Sequence, residues 1–166
     1  MIQKRLLFVC LGNICRSSAA EAVMTAKLKE RGLDHQIICD SAGTIGFHAG
    51  EPADVRMRKH ALMRGYAVTS ISRKVKPVSD FDQFDMIIGM DEQNIKDLNL
   101  LARTAAQQKQ IHRMTDFSTQ FHYNHIPDPY YGDPNGFDLV LDLLEDACDG
   151  LIEYLEKGKQ TQIIYQ

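Results

Sequence analysis

One spacing constrains this chain more than any other feature: a cysteine and an arginine with five residues between them. Cys10 and Arg16 enclose the segment LGNIC, where a short apolar run at 6–9 gives way to a helical pattern. A backbone of this length can curl into a cup in which N–H groups, a helix N-terminus and the guanidinium converge on one tetrahedral oxyanion. The same positive field stabilises a thiolate. The spacing therefore predicts an anion cradle with a nucleophile at its base, as phosphoryl transfer through a cysteinyl phosphate requires.

The neighbouring sequence weighs against a chance pairing of a buried strand-end cysteine with a surface arginine. The continuous apolar run is typical of a strand buried on both faces. Ser17 or Ser18 offers an N-cap, and Ser18 and Glu21 have the spacing of a capping box. Strand, loop and helix therefore follow in the order that the chemistry requires. The segment lacks the Gly-Lys-Ser/Thr ending of a nucleotide-binding loop.

Strand-like and helical segments alternate along the chain, which predicts a parallel sheet covered on both faces. We expect strands at 6–9, 36–39, 84–90 and 110–114, and helices at 18–31, 51–64, 91–101 and 137–156. Right-handed crossovers then give a small doubly wound α/β fold: a four-stranded, three-layer α/β/α, Rossmann-like sheet with its ligand site at the carboxyl ends of the strands. Residues 1–157 form one predicted domain, and we expect 158–166 to be a frayed tail.

Composition excludes several classes of function. A chain of 166 residues suits one domain with a single core, and a net charge of −3 with a pI near 6.0 argues against a nucleic-acid or membrane-surface binder. The chain shows neither a run of 18 apolar residues nor a signal-peptide pattern before the first strand. The cysteines and histidines lack the spacing of a zinc site, so we expect no metal, and the cysteine usage favours a reducing, cytoplasmic setting.

Four segments together resemble the signature motifs of low-molecular-weight protein tyrosine phosphatases. They are VCLGNICRS at 9–17, DSAGT at 40–44, MDEQN at 90–94 and DPYYG at 128–132. The resemblance extends from residue 4 to about residue 157. It implies hydrolysis of phosphotyrosine in protein substrates, and of aryl phosphate monoesters, without a cofactor. Inorganic phosphate would be the product and an inhibitor.

Side-chain chemistry and the resemblance together assign the central roles. Cys10 is the expected nucleophile, and Arg16 is the fork that binds two equatorial phosphate oxygens. Asp128 is the expected general acid and base, although Asp-Pro-Tyr-Tyr-Gly by itself is typical of a turn. The expected phosphate-binding loop consists of Leu11, Gly12, Asn13, Ile14 and Cys15.

Further residues are expected to support the loop or to surround the entrance. Ser17 would donate a hydrogen bond to the thiolate. Asn13 suits a left-handed backbone and would bond Ser41 beneath the loop. Asp91 would hold Arg16 and also cap a helix. The expected walls for a flat phosphorylated ring are Leu11, Ile14, Phe47, Tyr130 and Tyr131.

Three details of the resemblance stay open. Relatives that act on phosphoarginine carry threonine at the position of Ile14, so isoleucine favours phosphotyrosine. Animal members carry a histidine at the position of Ser70, and the shorter serine puts the rigidity of the cup in doubt. Cys15 is either a small buried residue or the partner of Cys10 in a reversible disulfide.

Two other functions compete with this interpretation. Arsenate reduction on the same scaffold needs a mobile cysteine pair after the third strand, and the chain has no cysteine between Cys39 and Cys148. A phosphotyrosine-binding module that has lost catalysis would be expected to lack the cysteine, the arginine or the acid. All three are present.

Overall fold

A four-stranded sheet forms the centre of the protein in this computed structural model, which describes residues 3–130, 132 and 135–164, with side chains up to residue 158. The strands are β1 (Lys4–Cys10), β2 (Ile37–Gly43), β3 (Met86–Gly89) and β4 (Ile111–Arg113). Their order across the sheet is β2-β1-β3-β4, and every pairing is parallel. Parallel neighbours need long crossover connections, and helices supply them.

Helices cover both faces of the sheet. Within the described residues they are α1 (Arg16–Glu30), α2 (Val55–Met63), α3 (Pro77–Gln83), α4 (Glu92–Leu101), α5 (Ala105–Lys109), a 3₁₀ helix (Met114–Phe117) and α6 (Asn135–Ile164). None of them is both long and apolar enough to cross a bilayer.

The side chains of β1 alternate between two hydrophobic clusters. Leu6 and Phe8 pack with the apolar faces of α1 and α6, whereas Leu7 and Val9 pack on the opposite face with side chains such as Phe81. All four β1 side chains are fully buried, as expected of a central strand covered on both sides. The predicted three-layer α/β/α fold class is confirmed, and β1 leads directly to Cys10.

Strand β2 is longer than the predicted 36–39 because pairing with β1 overrides the weak strand propensity of its last residues. The ladder continues until Gly43 lies opposite Cys10. A Cβ at Gly43 would come within 2.8 Å of the Leu11 carbonyl oxygen. Glycine therefore lets the segment after β1 lie directly on the end of β2.

Helix α1 begins at Arg16 rather than at residue 18, and the predicted capping box is wrong. No side chain caps the helix, and Ser18 Oγ instead donates to the Cys15 carbonyl at 3.1 Å. Glu21 is only partly exposed, and burial raises its pKa to about 7. The uncapped start leaves the first helical N–H groups free to bind an acceptor from outside the helix, which a side-chain cap would have competed with.

Helix α2 also starts later than predicted. Pro52 forms an isolated bridge with Ile71 instead of opening the helix, and Asp54 is the N-cap. Its carboxylate accepts a hydrogen bond from the backbone N–H of Arg56 at 2.8 Å. The hydrogen bond beside this bridge runs from the Ser72 N–H to the Glu51 carbonyl at 2.8 Å, so Pro52, which has no N–H, is not needed as a donor.

Helix α6 exceeds the predicted 137–156 at both ends and continues through most of the segment that was predicted to fray. Its last residues are mostly lysine, glutamine and isoleucine, and adding a residue to an existing helix costs far less than starting one. The short helices α3 and α5 and the 3₁₀ helix were not predicted, because they are too short to show a helical period. Strands β3 and β4 and helix α4 agree with prediction within about two residues.

A buried carboxylate on α6 holds the segment that follows the 3₁₀ helix. Asp146 accepts hydrogen bonds from the backbone N–H groups of Thr119, Gln120 and Phe121, and from the Thr119 hydroxyl at 2.7 Å. Burial would raise the pKa of this carboxyl, but the hydrogen bonds outweigh it and hold the pKa below its ordinary value. One turn further along α6, a Cβ at Gly150 would overlap a carbonyl oxygen of the 3₁₀ helix. The two helices are therefore in backbone contact.

We expect Asp146→Asn to lower the free energy of unfolding by about 1–3 kcal/mol at pH 7, the usual range for losing hydrogen bonds to a charged acceptor. A depressed pKa in the folded state gives stabilisation that is present above the ordinary carboxyl pKa and is lost as the pH falls through the folded value. The difference between wild type and variant should thus narrow below about pH 4. Urea denaturation across pH measures this.

Asp149→Asn is the matched control, because Asp149 lies on the same helix but its carboxylate is 42% exposed where it pairs with Lys27 and Arg31. Exposed pairs contribute about 0–1 kcal/mol. Equal destabilisation by both variants at pH 7 would contradict an anchoring role for Asp146.

Candidate active site

The segment 11–15 curls over the sulfur of Cys10 at the end of β1. The backbone N–H of Asn13 donates to Cys10 Sγ at 3.3 Å, and Ser17 Oγ lies 3.1 Å from the same sulfur. Cys10 is buried, and the uncapped N-terminus of α1 follows the segment at once. Hydrogen bonds and the positive end of a helix stabilise negative charge on the sulfur.

Asn13 holds the bend of the loop. Its φ of 57° is left-handed, a conformation that Asn adopts more readily than other side chains. Its side-chain nitrogen donates to Ser17 Oγ at 2.8 Å, and its side-chain oxygen accepts from the Arg73 backbone N–H at 3.0 Å. Both ends of the amide are engaged, so the loop is tied to α1 and to the segment after α2.

Ser41 does not bond Asn13, so this predicted contact is wrong. Ser41 lies opposite Phe8 in the ladder, before the strand reaches the loop, and its hydroxyl makes no hydrogen bond to Asn13. The Asn13 amide is already satisfied by Ser17 and Arg73. The sequence motif could not show that the hydroxyl that reaches the asparagine is that of Ser17.

The segment after α2 supports the loop although Ser70 does not. Ser70 Oγ is buried without a hydrogen-bond partner in the described part of the chain. Two residues on, Ser72 Oγ donates to the Gly12 carbonyl at 2.9 Å. Arg73, whose N–H holds Asn13, is itself bridged to Asp40 and Asp80 at 3.0 Å each.

Arg16 is the most heavily restrained side chain of the site. Its Nη1 donates to Asp91 Oδ2 at 2.6 Å and to the Ile126 carbonyl at 2.9 Å, and its Nη2 lies 3.6 Å from Asp128 Oδ2. Burial alone would lower the pKa of this guanidinium, but the charges of Cys10 and the two aspartates raise it. Arg16 therefore remains a fixed cation beside the loop.

Asp91 combines both of its predicted contacts. One carboxylate oxygen accepts from Arg16, and the other accepts from the Asn94 backbone N–H at 2.8 Å. Asn94 returns a bond by accepting from the Asp91 N–H at 3.1 Å, which completes a capping box at the start of α4. The helix cap thereby holds the carboxylate towards Arg16.

Asp128 lies on the loop between the 3₁₀ helix and α6, which we call the acid loop (residues 119–130). Its side chain is 42% exposed, and its Oδ1 accepts from the Tyr130 backbone N–H at 3.0 Å. The nearby Ile126 is fully buried, and its N–H donates to the Met90 carbonyl at 2.8 Å. The carboxylate is therefore solvent-accessible on a locally anchored backbone.

A cavity of about 290 Å³ brings most of the predicted residues together. Its lining consists of Cys10, Leu11, Gly12, Ile14, Cys15, Arg16, Ile45, Phe47, His48, Asp128 and Tyr130. Of the five residues that were predicted as walls, Leu11, Ile14, Phe47 and Tyr130 line the cavity, whereas Tyr131 lies outside the described residues. Asn13, Ser17, Ser41 and Asp91 are not among the lining residues.

Two lining residues were not predicted. Ile45 and His48 belong to the loop after β2, and the His48 ring packs edge-on against Phe47 with centroids 4.8 Å apart. His48 Nδ1 lies 2.8 Å from Glu51 Oε2. A Cβ at Gly12 would come within 3.0 Å of the His48 ring, so the glycine admits this wall. In the sequence, only the adjacent aromatic residues Phe47 and His48 could have indicated that this loop lines the cavity.

The four cysteines are all free thiols in the structure. Burial raises the pKa of Cys15 and Cys148 far above the ordinary thiol value and that of Cys39 to about 12. These three remain neutral at physiological pH and are poor nucleophiles. Among the described residues, no group of three His, Cys, Asp or Glu side chains is placed to hold a metal ion.

We expect Asn13→Ala to be less stable than Asn13→Gly by about 1 kcal/mol, because alanine is strained at a left-handed φ and glycine is not. Both variants lose the bonds to Ser17 and Arg73, so both should bind inorganic phosphate more weakly than wild type. Denaturation and phosphate titration separate the two effects. Equal stability of the alanine and glycine variants would contradict the backbone argument.

Comparisons with known proteins match almost the whole chain to one family. The sequence profile of the family described as "Low molecular weight phosphotyrosine protein phosphatase" matches residues 5–161. A Synechocystis relative that carries the family's name is 46% identical over 155 residues, or 92% of this chain and 97% of the relative. The human protein named low molecular weight phosphotyrosine protein phosphatase is 34% identical over 151 residues, or 90% and 94% of the two chains.

A solved structure is equally similar. The crystal structure of a protein tyrosine phosphatase from Entamoeba histolytica, with Hepes in its active site, superposes with a TM-score of 0.91. It is 50% identical and covers 95% of this chain and 99% of its own. On the profile match and these near full-length relatives, the chain belongs to the low molecular weight phosphotyrosine protein phosphatase family and is a phosphatase enzyme.

Proposed function

We propose that this enzyme hydrolyses phosphotyrosine in proteins, and aryl phosphate monoesters, through a cysteinyl-phosphate intermediate. The observation that carries the proposal is that Cys10, Arg16 and Asp128 line one cavity, with the sulfur at the foot of the loop. A nucleophile, a fixed cation and a proton donor are the three groups that this chemistry needs.

In the first step the Cys10 thiolate attacks phosphorus. The S–P bond forms while the P–O ester bond breaks, and the leaving oxygen takes the electron pair and a proton from Asp128. Arg16 and the N–H groups of the loop stabilise the equatorial oxygens of the transferring phosphoryl group. Asp91 and the Ile126 carbonyl hold the guanidinium in position for this.

In the second step water replaces the cysteine. The Asp128 carboxylate accepts a proton from the attacking water, the S–P bond breaks, and the electron pair returns to sulfur. Ser17 and the Asn13 N–H stabilise the departing thiolate. Inorganic phosphate is the product, and it also binds the free loop as an inhibitor.

The walls of the cavity support an aromatic substrate. Phe47 is 80% exposed and Leu11 is 41% exposed, so both present apolar surface at the entrance. A flat phenyl ring between such side chains brings its phosphate to the depth of the loop. Ile14 offers no hydroxyl to a guanidine, which favours phosphotyrosine over phosphoarginine.

An enzyme that works through a free thiolate needs a reducing compartment, and we place it in the cytoplasm with no nucleic-acid partner.

Asp128→Asn should reduce kcat/KM most for substrates with poor leaving groups. A general acid contributes about 10²–10⁴-fold, and only while the leaving oxygen needs a proton. The loss of kcat/KM should therefore be far larger for phenyl phosphate than for 2,4-dinitrophenyl phosphate. The alkaline limb of the wild-type pH profile should also flatten, because the titrating acid has been removed.

Asp82→Asn is the control, because Asp82 is an exposed residue on α3 outside the cavity. It should leave kcat/KM unchanged for both substrates. Equal losses for both substrates in Asp128→Asn, with an unchanged pH profile, would show that Asp128 is only a turn residue.

Cys10→Ser should abolish turnover but keep vanadate or phosphate binding, because the loop N–H groups and Arg16 remain. Cys39→Ser, which lies outside the cavity, should keep its activity. Loss of a nucleophile costs several orders of magnitude, so retention of more than about 1% of the rate would mean that another group attacks.

A further inference from the structure

Arg56, in the first turn of α2, contacts the acid loop from outside the cavity. Its Nη2 donates to the Tyr130 carbonyl at 3.1 Å. The guanidinium carbon also lies 5.5 Å from the centroid of the Tyr130 ring and 4.9 Å from that of Phe137. One side chain thus holds the peptide and the ring of Tyr130 and packs on the first turns of α6.

The Tyr130 peptide is held on its other side by Asp128. The Tyr130 N–H donates to Asp128 Oδ1 at 3.0 Å, while the Tyr130 carbonyl accepts from Arg56. The backbone of one residue, Tyr130, therefore connects the guanidinium to the carboxylate. A shift of Tyr130 would carry the carboxylate with it.

Asp54 fixes the guanidinium and is itself fixed by the phosphate-binding loop. Its two carboxylate oxygens accept from Nε and Nη2 of Arg56 at 3.1 and 2.9 Å. Its backbone N–H donates to the Ile14 carbonyl at 2.8 Å. The side chain of Asp54 is 11% exposed and that of Arg56 is 48% exposed, so a mostly buried carboxylate fixes a guanidinium that lies at the surface. A paired guanidinium fork is a geometry that lysine cannot copy.

These contacts form one connection from Ile14 through Asp54, Arg56 and Tyr130 to Asp128. We propose that Arg56 is a positioning residue that ties the acid loop to the phosphate-binding loop and so holds Asp128 towards the leaving oxygen. The role rests on the proposed function of Asp128 as general acid. Arg56 does not line the cavity and need not touch the substrate.

Arg56→Gln tests the proposal, with kcat/KM measured for phenyl phosphate and for 2,4-dinitrophenyl phosphate. Loosening the acid by about an ångström can cost up to 10²-fold, and we expect about a tenfold loss for phenyl phosphate. The loss for 2,4-dinitrophenyl phosphate should stay below about twofold, since its leaving group needs no acid. Inhibition by inorganic phosphate should be unchanged, because the loop and Arg16 bind it.

Two comparisons separate positioning from folding. Arg56→Lys, which keeps the charge but not the fork, should lose activity towards phenyl phosphate as Arg56→Gln does, and it serves if the glutamine variant folds poorly. Arg58→Gln is the matched control, because Arg58 lies on the same helix and its side chain, within the described part of the chain, bonds only the Ala53 carbonyl. It should behave as wild type.

A double-mutant cycle completes the test. In an Asp128→Asn background, Arg56→Gln should cause no further loss, because there is no acid left to position. Equal losses for both substrates, no loss, or full additivity with Asp128→Asn would each overturn the proposal. If Asp128→Asn alone shows no leaving-group dependence, the proposed function of Asp128 fails and the role of Arg56 falls with it. Leaving-group dependence in Asp128→Asn but not in Arg56→Gln rejects the Arg56 proposal alone.

Discussion

A guanidinium that is almost wholly removed from water must find its partners inside the protein, and Arg16 finds them on separate segments. Asp91 comes from the start of α4, and the Ile126 carbonyl and Asp128 come from the acid loop. Removing one partner of a buried ion pair typically costs about 3–5 kcal/mol, because the remaining charge is left uncompensated. The need to satisfy this one cation therefore ties the start of α4 and the acid loop to the start of α1.

The acid loop is held firmly at its ends and lightly between them. Asp146 holds its first residues, the Met90 carbonyl holds Ile126, and Arg56 contacts Tyr130. Residues 122–125 between these restraints are exposed. Such an arrangement suits a carboxylate that must remain accessible to water and yet return to one position, because each restraint acts on backbone on either side of Asp128.

Much of the site could be predicted because its residues are close together in sequence. The loop of residues 10–16 needs only a strand end and a helix start, and Asp91 and Asn94 have capping-box spacing along the chain. The support from Arg73 and Ser72 could not be predicted, since it depends on how far β2 runs and where the chain returns to it. The start of α1 was misplaced for a related reason: Ser17 is engaged by Cys10 and Asn13 and does not cap the helix.

The backbone contact at Gly150 governs how the far side of the molecule can be assembled. A helix turns by about 100° per residue, so sliding α6 by one position would present Asp149 or Leu151 to the Phe117 carbonyl in place of the glycine. Both of these side chains would clash with the carbonyl, so α6 cannot pack in either neighbouring register. The contact at Gly150 therefore fixes the position of Asp146 relative to the 3₁₀ helix. It thereby sets the length of chain that connects the residues held by Asp146 to Asp128, although Gly150 does not line the cavity. Altered packing of α6 against the 3₁₀ helix would therefore change the span that the acid loop must cover. Asp128 would be displaced in this way without any direct contact between its side chain and α6.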